Sequence, residues 1–112
     1  MKCLKLGDTL KDALKLIKLE SHSTFPVVDD DKVFKGVILK EDLYEAVKTS
    51  DSGLETKVSQ MGLRKFPVTD TNTPVPEVVE TLLRGGTSKA VVLDKDQKLQ
   101  GIITLIDLMA EG

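Results

Sequence analysis

Apolar residues along the chain keep two rhythms, and the two alternate. Cys3-Leu4-Lys5-Leu6 alternates apolar and polar positions, which predicts a short strand over residues 2–6. Leu10, Ala13, Leu14 and Ile17 then recur at helical spacing, predicting a helix capped by Asp8 or Thr9 and running to about Glu20. Ser21-His22-Ser23-Thr24 is a polar connector. Phe25-Pro26-Val27-Val28 and Val33 to Leu39 are two apolar runs around the turn Asp29-Asp30-Asp31-Lys32, the signature of a hairpin, with Pro26 placing its strand at an edge. A helix over Glu41 to Lys48 closes the set. After the polar Thr49-Ser50-Asp51-Ser52-Gly53 and a short helix expected over Leu54 to Met61, the sequence of rhythms restarts. Phe66-Pro67-Val68-Thr69 reads as a strand and Thr73-Pro74 as a cap with proline at the first helical position. That helix carries Val78, Val79, Leu82 and Leu83 and stops at Gly85-Gly86. Lys89 to Leu93 and Leu99 to Ile103 form a second hairpin around Asp94-Lys95-Asp96-Gln97, and a last helix begins near Thr104. The order is strand–helix–strand–strand–helix, twice.

The two halves match without a gap at a constant offset of 65 residues, which pairs Gly36 with Gly101, Ile38 with Ile103, Asp42 with Asp107 and Leu43 with Leu108. Val27 pairs with Val92, Asp29 with Asp94 and Asp12 with Glu77. An ungapped repeat of this length means two copies of one supersecondary unit, expected to sit about a pseudo-two-fold axis and cover each other's apolar sheet faces. The copies are read as residues 1–50 and 58–112, joined by a linker at 51–57. A chain of 112 residues can bury a sizeable core, whereas either half alone would be marginal.

Composition narrows the function classes. Sixteen Lys and Arg against eighteen Asp and Glu give a net charge of −2 with both signs interspersed, so no basic field for nucleic acid and no polybasic membrane patch arises. No apolar run approaches the roughly 20 residues of a membrane span, and no leader pattern opens the sequence. The single cysteine, Cys3, fits a reducing cytoplasm and reads as a small buried hydrophobe. The acidic triplet Asp29 to Asp31 lacks the spaced oxygens and glycine of a calcium loop. His22, the only histidine, has no other His or Cys near it to form a metal site. No Ser/His/Asp set, metal cluster or dinucleotide fingerprint is present, so an enzyme reading has little to stand on. Gly85-Gly86 follows no strand and precedes no Gly-Lys-Ser/Thr, so it is a helix stop rather than a phosphate loop.

The candidate chemistry lies at the strand-to-helix corners. In Gly101-Ile102-Ile103-Thr104-Leu105-Ile106-Asp107-Leu108 an apolar strand ends at a hydroxyl residue and a carboxylate follows three residues later. Backbone N–H groups left unpaired where a helix starts attract an anion such as phosphate. Thr104 is placed to share it, and Asp107 to accept the two adjacent hydroxyls of a ribose. Thr104 and Asp107 also fit a capping box that satisfies helix N–H groups and does nothing else. Gly36-Val37-Ile38-Leu39-Lys40-Glu41-Asp42-Leu43 has the same layout, with Leu39 in place of the hydroxyl residue. Arg64-Lys65, just before Phe66, is either a surface pair or a neutraliser of polyphosphate.

The order, spacing and duplication of Thr9-Leu10-Lys11-Asp12-Ala13, Phe25-Pro26-Val27-Val28-Asp29, Gly36-Val37-Ile38 with Asp42-Leu43, and their second-copy equivalents Pro74 to Val78, Ala90 to Asp94 and Gly101 to Thr104 with Asp107-Leu108, resemble the cystathionine-β-synthase (CBS) domain. The tandem resembles a Bateman module over nearly the whole chain. The resemblance implies an α+β fold of two β-α-β-β-α CBS repeats and clefts that bind AMP, ADP, ATP or S-adenosylmethionine. It places the ribose on Asp107, the phosphate near Thr104 and the adenine against Val68, Thr69, Lys89 and Ala90. The equivalent positions of the first copy are Cys3, Leu4, Thr24 and Phe25, with Lys40 as a substitute charge and Asp42 as ribose acceptor. It also implies a homodimer of such pairs and a fused or separate effector, the chain being a stand-alone module or a piece of a transporter, dehydrogenase, kinase or transcription regulator. Three readings stay open: a non-catalytic nucleotide-binding regulator needing no catalytic cofactor, a ligand-free oligomerisation domain, and a magnesium sensor.

Overall fold

The structure is a computed structural model of the chain and describes residues 3–20, 23–49, 51 and 53–111, without the side chain of residue 111. The connector residue His22 lies outside the described residues. The chain divides into two compact units, residues 1–65 and 66–112. No helix among the described residues is long and apolar enough to cross a membrane.

The first unit comprises β1 (Leu4–Lys5), α1 (Leu10–Leu19), β2 (Thr24–Val28), β3 (Phe34–Leu39) and α2 (Lys40–Thr49). Thr9 caps α1 in a full capping box: the Asp12 N–H donates to Thr9 Oγ1 at 3.3 Å and the Thr9 N–H donates to Asp12 Oδ2 at 3.0 Å. The bond from the Thr9 backbone, with that from its hydroxyl, holds the Asp12 carboxyl below its usual range. The helix buries Leu10, Ala13 and Ile17 against Leu4, Phe25, Val27, Ile38 and Leu43, the spacing that the sequence rhythm demands.

The sheet order is β1-β2-β3, parallel then antiparallel. β2 is therefore a buried central strand, and its start near Pro26 does not lie at an edge as the proline suggested. Pro26 is tolerated because of its register. Opposite it, Val37 turns its N–H and C=O away from β2, to Arg64. In such a non-bonded antiparallel pair Pro26 likewise faces away from β3, so the ladder between β2 and β3 loses no donor. At the equivalent position of the second unit, the Val91 N–H donates to the Pro67 C=O. Cys3 is half-buried and free rather than a core residue, because pairing begins only at Leu4.

Residues 53–65 form two 3-10 turns, Gly53–Glu55 and Val58–Gln60, where a single helix over Leu54 to Met61 was expected. Backbone groups that a helix would use are taken by the first unit: the Leu10 N–H donates to the Thr56 C=O, the Val58 N–H to the Asp8 C=O and the Ser59 N–H to the Leu6 C=O. Val58 is fully buried in that unit's core.

The second unit repeats the plan with β4 (Val68–Asp70), α3 (Val75–Gly85), β5 (Lys89–Leu93), β6 (Leu99–Thr104) and α4 (Leu105–Glu111). Its sheet order is β4-β5-β6 and its core gathers Val78, Leu82, Ala90 and Leu108. Pro74, not Thr73, is the N-cap of α3; the Thr73 hydroxyl is spent on Asp70 Oδ1 at 2.9 Å. Gly86 ends the helix in the left-handed conformation at φ 67°, as the glycine pair predicts.

The two acidic turns are near copies. Asp29 Oδ1 accepts from the N–H groups of Asp31 and Val33 at 2.8 and 3.0 Å, and Asp94 Oδ1 from those of Asp96 and Lys98 at 2.8 and 3.0 Å. Lys32 and Gln97, 65 residues apart, share a positive φ of 68° and 66°. The carboxylates are turn formers, and the Val33 bond first among others holds Asp29 below its usual pKa.

Candidate functional site

In the second unit, Lys89 lies directly opposite Thr104 across β5 and β6. The Leu105 N–H donates to the Ser88 C=O at 2.7 Å, which makes Lys89–Thr104 a non-bonded pair. Side chains of such a pair stand on one face with Cβ atoms about 5 Å apart. Thr104 Oγ1 accepts the Asp107 N–H at 3.1 Å. The hydroxyl proton of Thr104 remains available to donate. Asp107 is exposed, and no described residue donates to its carboxylate. The Thr104 hydroxyl and the open Asp107 carboxylate thus share one corner, with Lys89 opposite Thr104 on the neighbouring strand. No group of three or more metal-ligating side chains occurs among the described residues.

Ala90 is buried in the core behind this corner, and in the bonded pair next to Lys89–Thr104 it exchanges its N–H and C=O with Ile103. Val68 and Thr69 stand on β4, paired with Val91 and Val92 on the far side of β5 from Thr104. They line a cleft of about 430 Å³ with Asp70, Thr73, Glu77, Glu80, Thr81 and Arg84, the Arg84 guanidinium pairing with the Glu80 carboxylate. Thr104, Asp107, Lys89 and Ala90 do not line that cleft. The structure of this unit therefore brings Lys89, Thr104 and Asp107 together and leaves Val68 and Thr69 two strands away.

The first unit builds the same corner from different groups. Thr24 takes the place of Lys89 and Leu39 that of Thr104, facing each other across β2 and β3. Neither charge nor hydroxyl donor for a phosphate remains on that pair except Thr24, which is only 9% exposed. Leu4 and Phe25 are core side chains, each 2% exposed. Lys40 lines a shallow hollow of about 350 Å³ with Ser23, Leu39, Glu41 and Tyr44, and Asp42 does not line it. The Asp42 carboxylate is occupied. Its Oδ2 accepts the Leu39 N–H at 2.9 Å and the Arg64 Nε–H at 2.8 Å, and its Oδ1 accepts from Arg64 Nη2 at 2.6 Å. The Arg64 fork, then the Leu39 N–H, hold the Asp42 carboxyl below its usual range against the opposing effect of burial, and the carboxylate raises the pKa of Arg64 in return.

Arg64 is the residue that the sequence did not assign to this corner. It stands 22 positions from Asp42, in a basic pair that reads equally as surface. The placement of Lys89 opposite Thr104 is legible in the sequence, because the hairpin around Asp94 to Gln97 fixes that register.

Fold and corners together define a tandem α+β module of two homologous half-units. The CBS-domain profile matches residues 1–49 and 58–111. The chain belongs to the CBS domain family. A CBS domain-containing protein of Dictyostelium discoideum is 32% identical over 117 residues, an alignment covering 95% of this chain and 80% of that protein. An uncharacterised protein of Methanocaldococcus jannaschii is 29% identical over 102 residues, covering 91% of this chain, which spans only 37% of that protein's length. Among solved structures, the CBS domains of a transcriptional regulator from Streptococcus pneumoniae superpose with a TM-score of 0.76 at 25% identity, over 96% of this chain and 86% of that one. Two further neighbours share the fold: the CBS domain of a bacterial CNNM/CorC family Mg2+ transporter in complex with ATP (TM-score 0.77, 23% identity, 99% of this chain and 78% of that one) and CBSX2 in complex with AMP (TM-score 0.76, 24% identity, 99% and 86%).

Proposed function

We propose that the chain is a non-catalytic regulatory module that binds an adenosyl ligand at the second-copy corner. The single observation that carries the reading is the juxtaposition of Lys89, Thr104 and Asp107. A phosphate takes the ammonium and the hydroxyl, and the ribose diol donates to the open carboxylate. Val68 and Thr69, which the resemblance assigns to the adenine, lie two strands from Thr104 and line a separate cleft, so this reading rests on the ribose and phosphate contacts alone. The family assignment and the ATP and AMP complexes of two fold neighbours support this class of ligand. The ligand regulates by binding one arrangement of the attached parts better than another, which is all that a shift of population requires.

Calorimetric titration with AMP, ATP and S-adenosylmethionine tests the reading. The Asp107→Ala variant loses a charge-assisted contact worth about 1.5–3 kcal/mol, so its affinity should fall by roughly 10- to 150-fold. Equal affinities for variant and parent would reject the role of Asp107.

Exposed apolar side chains favour a second, compatible reading as an assembly surface. Ile106 and Met109 on α4 are 78% and 67% exposed, and Tyr44 and Val47 on α2 about half so. Helix faces of this kind are suited to pairing two modules.

A further inference from the structure

We propose that Arg64 closes the first-copy corner, so that each chain offers a single adenosyl site, at the second-copy corner; the site count rests on the nucleotide reading above, the closure on geometry alone. Arg64 is anchored twice. Its backbone forms a single antiparallel bridge on the free edge of β3: its N–H donates to the Val37 C=O at 2.8 Å and its C=O accepts the Val37 N–H at 3.0 Å. Its side chain then reaches Asp42 as a two-pronged fork at 2.8 and 2.6 Å. Both anchors lie within the first unit and reinforce each other, because the backbone bridge fixes where the side chain starts and the fork fixes where it ends.

The local backbone is shaped for this contact. Gly36 sits at φ +148°, and a Cβ there would come within 3.0 Å of the Arg64 C=O and of Leu63 Cβ. Its counterpart Gly101 has nothing within 4 Å of such a Cβ. The absence of a side chain at Gly36 is thus what admits the close approach of residues 63–64. A ribose diol needs carboxylate lone pairs that point at it. Three donors already take most of the roughly four acceptor sites of the Asp42 carboxylate, leaving fewer than a diol's two hydroxyls need; the surrounding Leu4 and Phe25 are core, and Leu39 offers a phosphate nothing. Arg64 is accordingly a positioning residue that converts a ligand carboxylate into a fastener for the segment leading out of the first unit.

Two measurements on the whole chain test this. Titration of the parent with AMP should give one site per chain, abolished or strongly weakened in Asp107→Asn and unchanged in Asp42→Asn. Two sites, or an affinity lost with Asp42→Asn, would overturn the closure. Thermal melts without ligand should show Asp42→Asn, Arg64→Gln and the double variant lowered by about the same amount, with faster amide exchange at Val37 and Arg64. Additive losses, or exchange at those two amides equal to the parent's, would overturn it as well. If no adenosyl compound binds the parent, the nucleotide reading fails, and the non-additivity of the melts alone then decides whether Asp42 is fastened.

Discussion

Asp42 and Asp107 occupy the same position in two copies and meet opposite fates. One is paired with a guanidinium, the other is exposed and accepts no hydrogen bond from a described residue. The depressed pKa of Asp42 has a consequence for stability. A carboxyl whose folded pKa lies below its unfolded value of about 3.9 contributes fully at pH above that value. The contribution is lost as pH falls through the folded value. Asp42→Asn should therefore melt below the parent at pH 7, and the gap should close as the pH is lowered from about 5 to below 3. Asp12 and Asp29 carry the same sign, so the parent itself should lose stability over that range, as acid titration followed by circular dichroism would register. At the same scale, Gly36→Ala should cost about 1–3 kcal/mol through backbone strain and crowding, whereas Gly101→Ala should stay within about 0.5 kcal/mol. Urea denaturation of the two variants makes that comparison.

At the scale of elements, the repeat is read most easily where local chemistry acts alone. The Thr9 and Asp12 box, the glycine stop at Gly86 and both Asx turns appear in the structure where their residue types call for them. Thr9→Ala should lower stability by about 1 kcal/mol in chemical denaturation, the usual cost of a lost cap. Reading falters where distant backbone competes. Residues 54–61 have helical spacing, yet their backbone groups bond to residues 6–10. Pro26 predicts an edge by its missing N–H, yet it lies mid-sheet because its neighbour in register does not need that donor. Both differences arise from pairings between segments far apart in sequence, to which a window of ten residues is blind.

At the scale of the molecule, two units each carry their own apolar core. Substituting Leu43 or its counterpart Leu108 by alanine should cost about 2–5 kcal/mol in the unit concerned. Amide exchange would show the loss confined to that unit's strands. An adenosyl ligand at a hundredfold excess over its Kd should add about 2.7 kcal/mol to the stability of whatever it binds. The protected amides should be those around Thr104 and Asp107 and not those around Leu39 and Asp42. The assembly reading expects a self-associating chain, so Ile106→Glu should shift the sedimentation equilibrium towards monomer. Unchanged association would remove α4 from that role.

The sequence alone determined the repeat, the order of its elements, the acidic hairpin turns and the two corners with their carboxylates. These follow from periodicity and from side chains bonding to their own neighbours, and both are local properties written into consecutive residues. Only the tertiary structure decided which carboxylate is free. The fork from Arg64 and the backbone bridge that carries it arise from chain segments brought together by folding, and each joins residues too far apart for local spacing to reveal.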